Sequence, residues 1–308
     1  MHLRNVELFC DIVACRSFSK AAEMRKISQP AATQIIQQLE EHLGVSLFDR
    51  TVRPPELTPA GQLYYEKCRD LLEMYRSIED AVRRLGDKVV GRVRVASIYS
   101  VGLLQMAEYV RRFEKLFPEV DVRLDYVHPD EVYARVRRDE ADLGIVSYPA
   151  AGDDITVIPW VDQPMVVVVK PGTALAAHDR ATLEVLRGMD FVAFTPDLKI
   201  RKEIDRLLKK NNVPVKVTHQ FDNVENIKRA VEIGAGVAIL PLPTIRRELE
   251  IGSLHAVALE KVDLKRPLGI VQKRHKHLPA AAEKFVALLK ENAVVGESTS
   301  AAKAVTAS

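Results

Sequence analysis

Cysteine is scarce in this chain of 308 residues: there are three, Cys10, Cys15 and Cys68, all in the first third. None forms a CxxC pair and no histidine stands at ligand spacing from them, which argues against a disulfide framework and a metal site. Reduced thiols and a cytoplasmic location are the expectation. Long apolar runs are missing too. No stretch approaches the roughly 20 residues that cross a bilayer, and the first residues open directly into a helical pattern with charges at Glu7 and Asp11, so neither export nor a membrane partner is expected. Charge of one sign is also lacking, since a net +3 over this length implies neither a polyanion-coating protein nor an acidic tail. Catalytic signatures are absent: no HExxH, no GxSxG and no paired carboxylates, while His275 and His277 fall in a basic loop and the other histidines are scattered. An enzyme, or a bound cofactor, is therefore not expected.

Ample apolar material is present, 47% of the chain, enough for two or three cores. The most informative stretch runs from Phe18 to Arg50. Ser28 can cap a helix that begins at Gln29, Pro30 sits where a missing N–H costs nothing, and Gly44 supplies the left-handed stop after Leu43. At 100° per residue Ala32, Ile36, Leu39 and Leu43 form one stripe, with Ile35 at its margin, which must be buried. The opposite face carries Pro30, Thr33, Gln34, Gln37 and Gln38, uncharged hydrogen-bonding groups suited to base edges in a major groove, where glutamine pairs with adenine. For that helix alone, an ordinary amphipathic helix with a glutamine-rich face is an equal alternative. The preceding residues shift the balance: Ser19 can cap a helix from Lys20 to Met24 whose Ala21 and Ala22 allow a second helix close approach, giving a helix-turn-helix. A first helix, roughly Arg4 to Cys15, buries Val6, Phe9, Cys10 and Val13 beneath the pair.

The spacing of Ser17-Phe18, Ala21-Ala22-Glu23, Ser28-Gln29-Pro30-Ala31, Ile36, Leu39-Glu40, Leu43-Gly44-Val45, Leu47-Phe48, Arg50 and Leu57-Thr58-Pro59-Ala60-Gly61 resembles the winged helix-turn-helix of LysR-type transcriptional regulators. The resemblance implies an all-α winged helix-turn-helix over residues 1–58 that binds double-stranded DNA. In that family the positions of Gln34, Gln37 and Gln38 are often basic, and here they are not. Residues 1–58 hold seven basic and seven acidic side chains, so bulk attraction cannot supply affinity. Contacts are expected from Ser28, Gln29, Pro30, Thr33, Gln34, Gln37 and Gln38 in the groove. Arg25 and Lys26 at the turn, with Arg50 and Arg53 in a wing from Arg50 to Leu57, should reach phosphates, which position the helix without specifying sequence.

Thr58 can cap and Pro59 begin a linker helix over 59–88. Its Tyr64, Cys68, Leu71, Tyr75, Ile78, Val82 and Leu85 alternate steps of four and three, the seam of a two-helix coiled coil. Packing on its own domain is the alternative; the resemblance implies pairing of two chains into a homodimer, and of dimers into a homotetramer. Cys68 on the seam reads as a small buried filler.

Gly86 and Gly91 bracket a hinge, after which strands and helices alternate. Strands are expected at 92–97, 120–126, 141–147, 165–169, 191–194, 215–220, 237–240 and 268–272, and helices at 103–117, 132–139, 182–186, 199–210, 224–233 and about 279–291. The alternation predicts parallel sheets covered on both faces. Two successive α/β units over 89–293, with the end of the chain returning to the first, make a two-lobed module with a ligand cleft. The motifs Gly234-Ala-Gly-Val-Ala-Ile-Leu-Pro241 and Ala141-Asp142-Leu143-Gly144-Ile145 resemble the effector-binding domain of the same family, itself similar to periplasmic solute-binding proteins. Residues 294–308 are small and polar and are expected to be disordered.

Effector contacts are expected at strand ends: Ser97, Tyr99 and Ser100 before a helix, then Ser147, Thr195, Phe221 and Asn223. Lys199 and Arg201 stand in the first turns of a helix, where a cation opposes the dipole and hints at an anionic small-molecule effector. Ser100 also occupies a position where the resemblance implies an effector-binding hydroxyl. A constitutive DNA-binding protein whose α/β half serves only oligomerisation is the alternative reading; a transport protein would need an export signal and no residues 1–88.

Overall fold

The computed structural model describes residues 2–52, 54–83 and 89–300. They form two compact units that divide between residues 88 and 89.

In the first unit, α1 (Leu3–Cys15), α2 (Phe18–Met24) and α3 (Gln29–Leu43) lead to β1 (Phe48–Asp49), β2 (Glu56–Leu57) and α4 (Pro59–Arg83). The cap of α2 is Ser17, whose hydroxyl accepts from the Lys20 N–H at 3.3 Å, so this helix starts two residues before the expected Lys20. Ser28 caps α3, accepting from the Ala31 N–H, and Gly44 closes it at φ 69°. Ala32, Ile36 and Leu39 are buried with Leu8, Phe9, Ile12, Ala21 and Ala22, whereas Leu43, expected on that stripe, is 38% exposed at the open end of the helix. The unit is not all-α: β1 and β2 pair antiparallel as the wing, with Phe48 opposite Leu57 and Asp49 opposite Glu56. Thr58 fastens wing to linker, its hydroxyl donating to the Ser46 carbonyl and accepting from the Gly61 N–H. Gly61 must be glycine because a Cβ there would lie 2.0 Å from the Leu47 carbonyl oxygen.

The expected seam of α4 divides in two. Cys68 and Leu72 are buried against Val6 of α1, with Tyr64 half-buried beside them, so the first turns pack within their own unit and Cys68 is a core filler. Leu71, Met74, Tyr75, Ile78 and Val82 stay exposed. Leu85, Gly86 and Arg53 lie outside the described residues.

The second unit contains β3 (Gly91–Ser97), α5 (Tyr99–Val101), a π-helical turn at Gly102–Met106, α6 (Ala107–Leu116), β4 (Val120–Tyr126), α7 (Pro129–Arg137) and β5 (Leu143–Ser147). The helix expected over 103–117 is thus broken by the wider turn. Next come β6 (Ile155–Val169), β7 (Arg180–Thr182), β8 (Asp190–Phe194), α8 (Lys199–Lys210), β9 (Lys216–Phe221), α9 (Val224–Glu232) and β10 (Ala238–Pro241). The chain closes with α10 (Arg246–Glu250), β11 (His255–Glu260), β12 (Lys265–Lys273) and α11 (Ala280–Ser300). The helix expected at 182–186 is one short 3-10 turn, Leu183–Leu186.

Two cores define two lobes. One gathers Val93, Val95, Phe113, Leu143, Ile145, Ile270 and Phe285; the other gathers Val167, Phe191, Ile204, Ile227, Ile239 and Val257. The β3–β4, β3–β5 and β8–β9 pairs are parallel as the alternation predicts. The whole is nevertheless mixed: β12 runs antiparallel to β5 and β6, and β10 and β11 antiparallel to β6. The reason is the 15-residue β6, which begins in the first lobe and ends in the second, where β12 starts the return. Within the second lobe Gly236, at φ 150°, brings the backbone against β8, where a Cβ would lie 2.5 Å from the Asp190 carbonyl oxygen. The Gly234–Pro241 motif is therefore a turn into β10. The last helix passes the expected stop at Glu291 and runs through Gly296; of the expected tail, 294–300 continue α11 and 301–308 lie outside the described residues.

Candidate functional site

On α3, the side chains of Gln29, Pro30, Gln34, Gln37 and Gln38 are exposed together with Ser28 of the cap, and Thr33 is half-exposed. Gln29 donates to the Thr33 hydroxyl at 3.1 Å and that hydroxyl donates to the Gln29 carbonyl, a small scaffold at the start of the helix. The arrangement is a rigid polar strip backed by core residues.

The basic residues beside it differ in availability. Arg25 donates through Nε to Asp11 at 2.5 Å and through Nη1 to Glu7 at 2.6 Å. Against the opposing effect of burial, these carboxylates raise its pKa above the usual guanidinium value. Arg25 therefore ties the turn to α1, a positioning role the sequence spacing did not reveal. Arg50 pairs with Glu40 of α3 at 2.7 Å, and the other oxygen of Glu40 accepts the Leu47 and Phe48 N–H groups, so one carboxylate fixes the wing to α3. Lys26 is exposed in the left-handed turn at φ 56°.

In the second unit a cavity of 740 Å³ is lined from both lobes, a size suited to a small organic ligand. Of the nine residues expected to hold an effector, it brings together Tyr99, Ser100, Ser147, Lys199 and Asn223. The other four face elsewhere. Ser97 is fully buried and donates to the Ile98 carbonyl. Arg201 is occupied by Asp205, the Phe194 carbonyl and Gln220. Phe221 stacks on His219, and Thr195 is not part of the lining. Strand ends point alternately to the two faces of a sheet, and spacing in the sequence does not say which residue faces inward.

Residues missed at the sequence level complete the wall. His128 precedes α7, and its Nε2 lies 3.3 Å from Asp197 of the other lobe. Lys199 Nζ donates to the Tyr148 carbonyl at 3.0 Å, a second link across the cleft. Arg266, on β12, is 2% exposed and lines the cavity. Its Nε and Nη2 both donate to Gln163 Oε1, and Nη1 donates to the Ser100 hydroxyl at 2.9 Å. Burial pushes this guanidinium down to about 9, and pushes the neighbouring Tyr148 phenol up to about 12. The sequence offered only a weak signal, Lys265-Arg266-Pro267 directly before the apolar run Leu268–Val271.

The family pattern described as "Bacterial regulatory helix-turn-helix protein, lysR family" matches residues 3–62, and "LysR substrate binding domain" matches residues 86–294. The chain belongs to the LysR family of transcriptional regulators. Among relatives of this LysR-type regulator, a probable RuBisCO transcriptional regulator of Nostoc is 30% identical over 280 residues, covering 87% of this chain and 82% of that protein. The HTH-type transcriptional regulator YeiE of Escherichia coli is 28% identical over 284 residues, covering 92% and 95%. A full-length OxyR variant from Pseudomonas aeruginosa shares the fold with a TM-score of 0.74 at 19% identity, covering 95% of this chain and 94% of that one. Full-length CbnR in complex with its target DNA gives 0.65 at 20%, covering 94% and 99%. The LysR-type regulator is accordingly a DNA-binding protein with an effector domain and no enzymatic role. Among the described residues no helix is long and apolar enough to cross a membrane.

Proposed function

We propose that two copies of this regulator pair along the exposed stripe of α4 and present two α3 helices to a near-palindromic duplex. A small anionic effector in the cavity of the second unit then alters subunit packing within a tetramer, and with it the spacing or bending of the bound DNA. The observation that carries the DNA half is the exposed glutamine strip of α3. Among the described residues Gln34, Gln37 and Gln38 have no hydrogen-bond partner, while Arg25 and Arg50 beside them are paired internally. Affinity per subunit is then modest, and two linked helices supply occupancy. For the effector half, Arg137, Lys199, Lys202 and Arg266 line the cavity against Asp130, Asp197 and Asp222.

Selection of duplexes from a random pool by the full-length chain, followed by footprinting, tests this reading. The expected footprint has two half-sites separated by whole helical turns. A monomeric chain, or one without preference for any duplex, would remove it. Titration of metabolite fractions against the melting midpoint tests the effector: a ligand of the native state raises it, and the same fraction should change the footprint.

A further inference from the structure

We propose that Arg266 is the receptor for one oxyanion group, so that the effector is a small organic acid whose charge is buried at the strands joining the two lobes. This rests on the cavity being the effector site.

A cation withdrawn from water is costly unless an anion meets it. Among the described residues of this unit, the other buried cation, Lys228, and the half-buried Lys276 follow that rule. Lys228 lies between Glu225 and Glu248 at 2.8 and 3.0 Å, and Lys276 meets Asp139 at 2.9 Å. Arg266 breaks it. Its protein acceptors are the neutral Gln163 and Ser100, and among the described residues no carboxylate comes within ion-pair distance of it. A guanidinium has five N–H groups. Three are engaged here, leaving one on each Nη without a protein acceptor, on a side chain that lines the cavity.

The pocket is built for an oxyanion rather than a halide-sized ion. Gln163 holds the guanidinium plane by accepting twice, and is itself held by donating to Gln105 Oε1 at 3.0 Å. Ser100 and Ser147 add hydroxyls to the same lining, and Ile98, Val127, Leu198 and Val224 supply apolar wall for an organic body. The charged residues of the rim are partly in solvent, where screening weakens them; the one charge fixed by burial is that of Arg266. Its position also gives it leverage. Arg266 and Gln163 are cross-strand partners on β12 and β6, the two strands by which the chain passes between the lobes, so neutralisation there acts at the hinge.

The experiment follows the melting midpoint of the full-length chain at fixed ionic strength. Acetate, hexanoate, benzoate, phenylacetate and methanesulfonate are titrated against chloride, with acetamide and benzamide as neutral controls. The wild-type midpoint should rise saturably with at least one acid and not with its amide. Arg266→Met and Gln163→Glu should both start from a higher midpoint without anion and require about tenfold or more acid for half-saturation. Gln163→Glu supplies the counter-charge internally, and Gln105, whose Nε2 has no partner, needs only an amide rotation to donate to the new carboxylate. It decides the matter if Arg266→Met does not fold. The proposal is overturned if the wild type ignores every acid, or if both variants respond as the wild type does. An amide that stabilises all three chains equally would leave the cavity as an effector site and remove only the role of Arg266.

Discussion

Gln34 is where the proposed base recognition is easiest to isolate, because its side chain is exposed on α3 and has no hydrogen-bond partner among the described residues. Gln34→Ala should cost roughly 1–3 kcal/mol of discrimination at one base pair, read as the affinity for the selected duplex against single-substituted ones; equal losses on random DNA would deny the reading role. Asp139 offers a test of stability. It follows the C-cap of α7, in the left-handed region at φ 55°, and its carboxylate accepts from Lys273 at 2.5 Å and Lys276 at 2.9 Å. Burial alone would raise its pKa, but the two ammonium groups hold it below the ordinary 3.8. A carboxylate depressed in the folded state contributes stability above its unfolded pKa and loses it as pH falls through the folded value. Asp139→Asn should therefore lower stability by about 1–2 kcal/mol at pH 7, and the gap to wild type in denaturant titrations should shrink below pH 3.8.

Helix α4 carries two kinds of surface along its length, one packed on its own unit and one exposed where we propose that two chains pair, and each has a handle. Near its start, Gly61→Ala would drive a methyl into the Leu47 carbonyl and push the helix from the wing. The expected cost is about 1–3 kcal/mol, seen as a lower melting midpoint. Farther on, Ile78 is 55% exposed in the stripe with Leu71, Met74 and Val82. Ile78→Glu should leave the helical signal intact and weaken dimerisation by about 1–3 kcal/mol per chain, measured by sedimentation equilibrium. The heptad spacing displayed the whole stripe but not its division, since Cys68 and Leu71 look alike until α1 is seen covering one and not the other. Helix α3 was legible to the residue at both ends, because Ser28 and Gly44 are local signals that need no tertiary context. Arg25 was not: its partners Glu7 and Asp11 lie on a helix whose approach no spacing encodes. The same holds in the cavity, where Ser100 could be read from a strand end and Lys199 from a helix start, but Arg266 arrives from a strand 166 residues beyond Ser100.

At the scale of the whole chain, alternation of strands and helices revealed two lobes but not the antiparallel crossing strands. Residues 155–164 and 265–267 contain charges and prolines that mask their strand character, and pairing supplies what propensity lacks. That crossing has a consequence for synthesis. The first lobe is not contiguous: β12 lies between β5 and β6, Phe285 of α11 packs on Phe113, and the Leu289 carbonyl accepts from the Trp160 indole. The lobe begun first on the ribosome is thus completed last, after the other has had time to form, and until then the edges of β5 and β6 and the face of Trp160 need protection. A chain ended at Leu264 should emerge largely insoluble, whereas restoring residues 265–300 as a separate co-expressed segment should recover soluble protein.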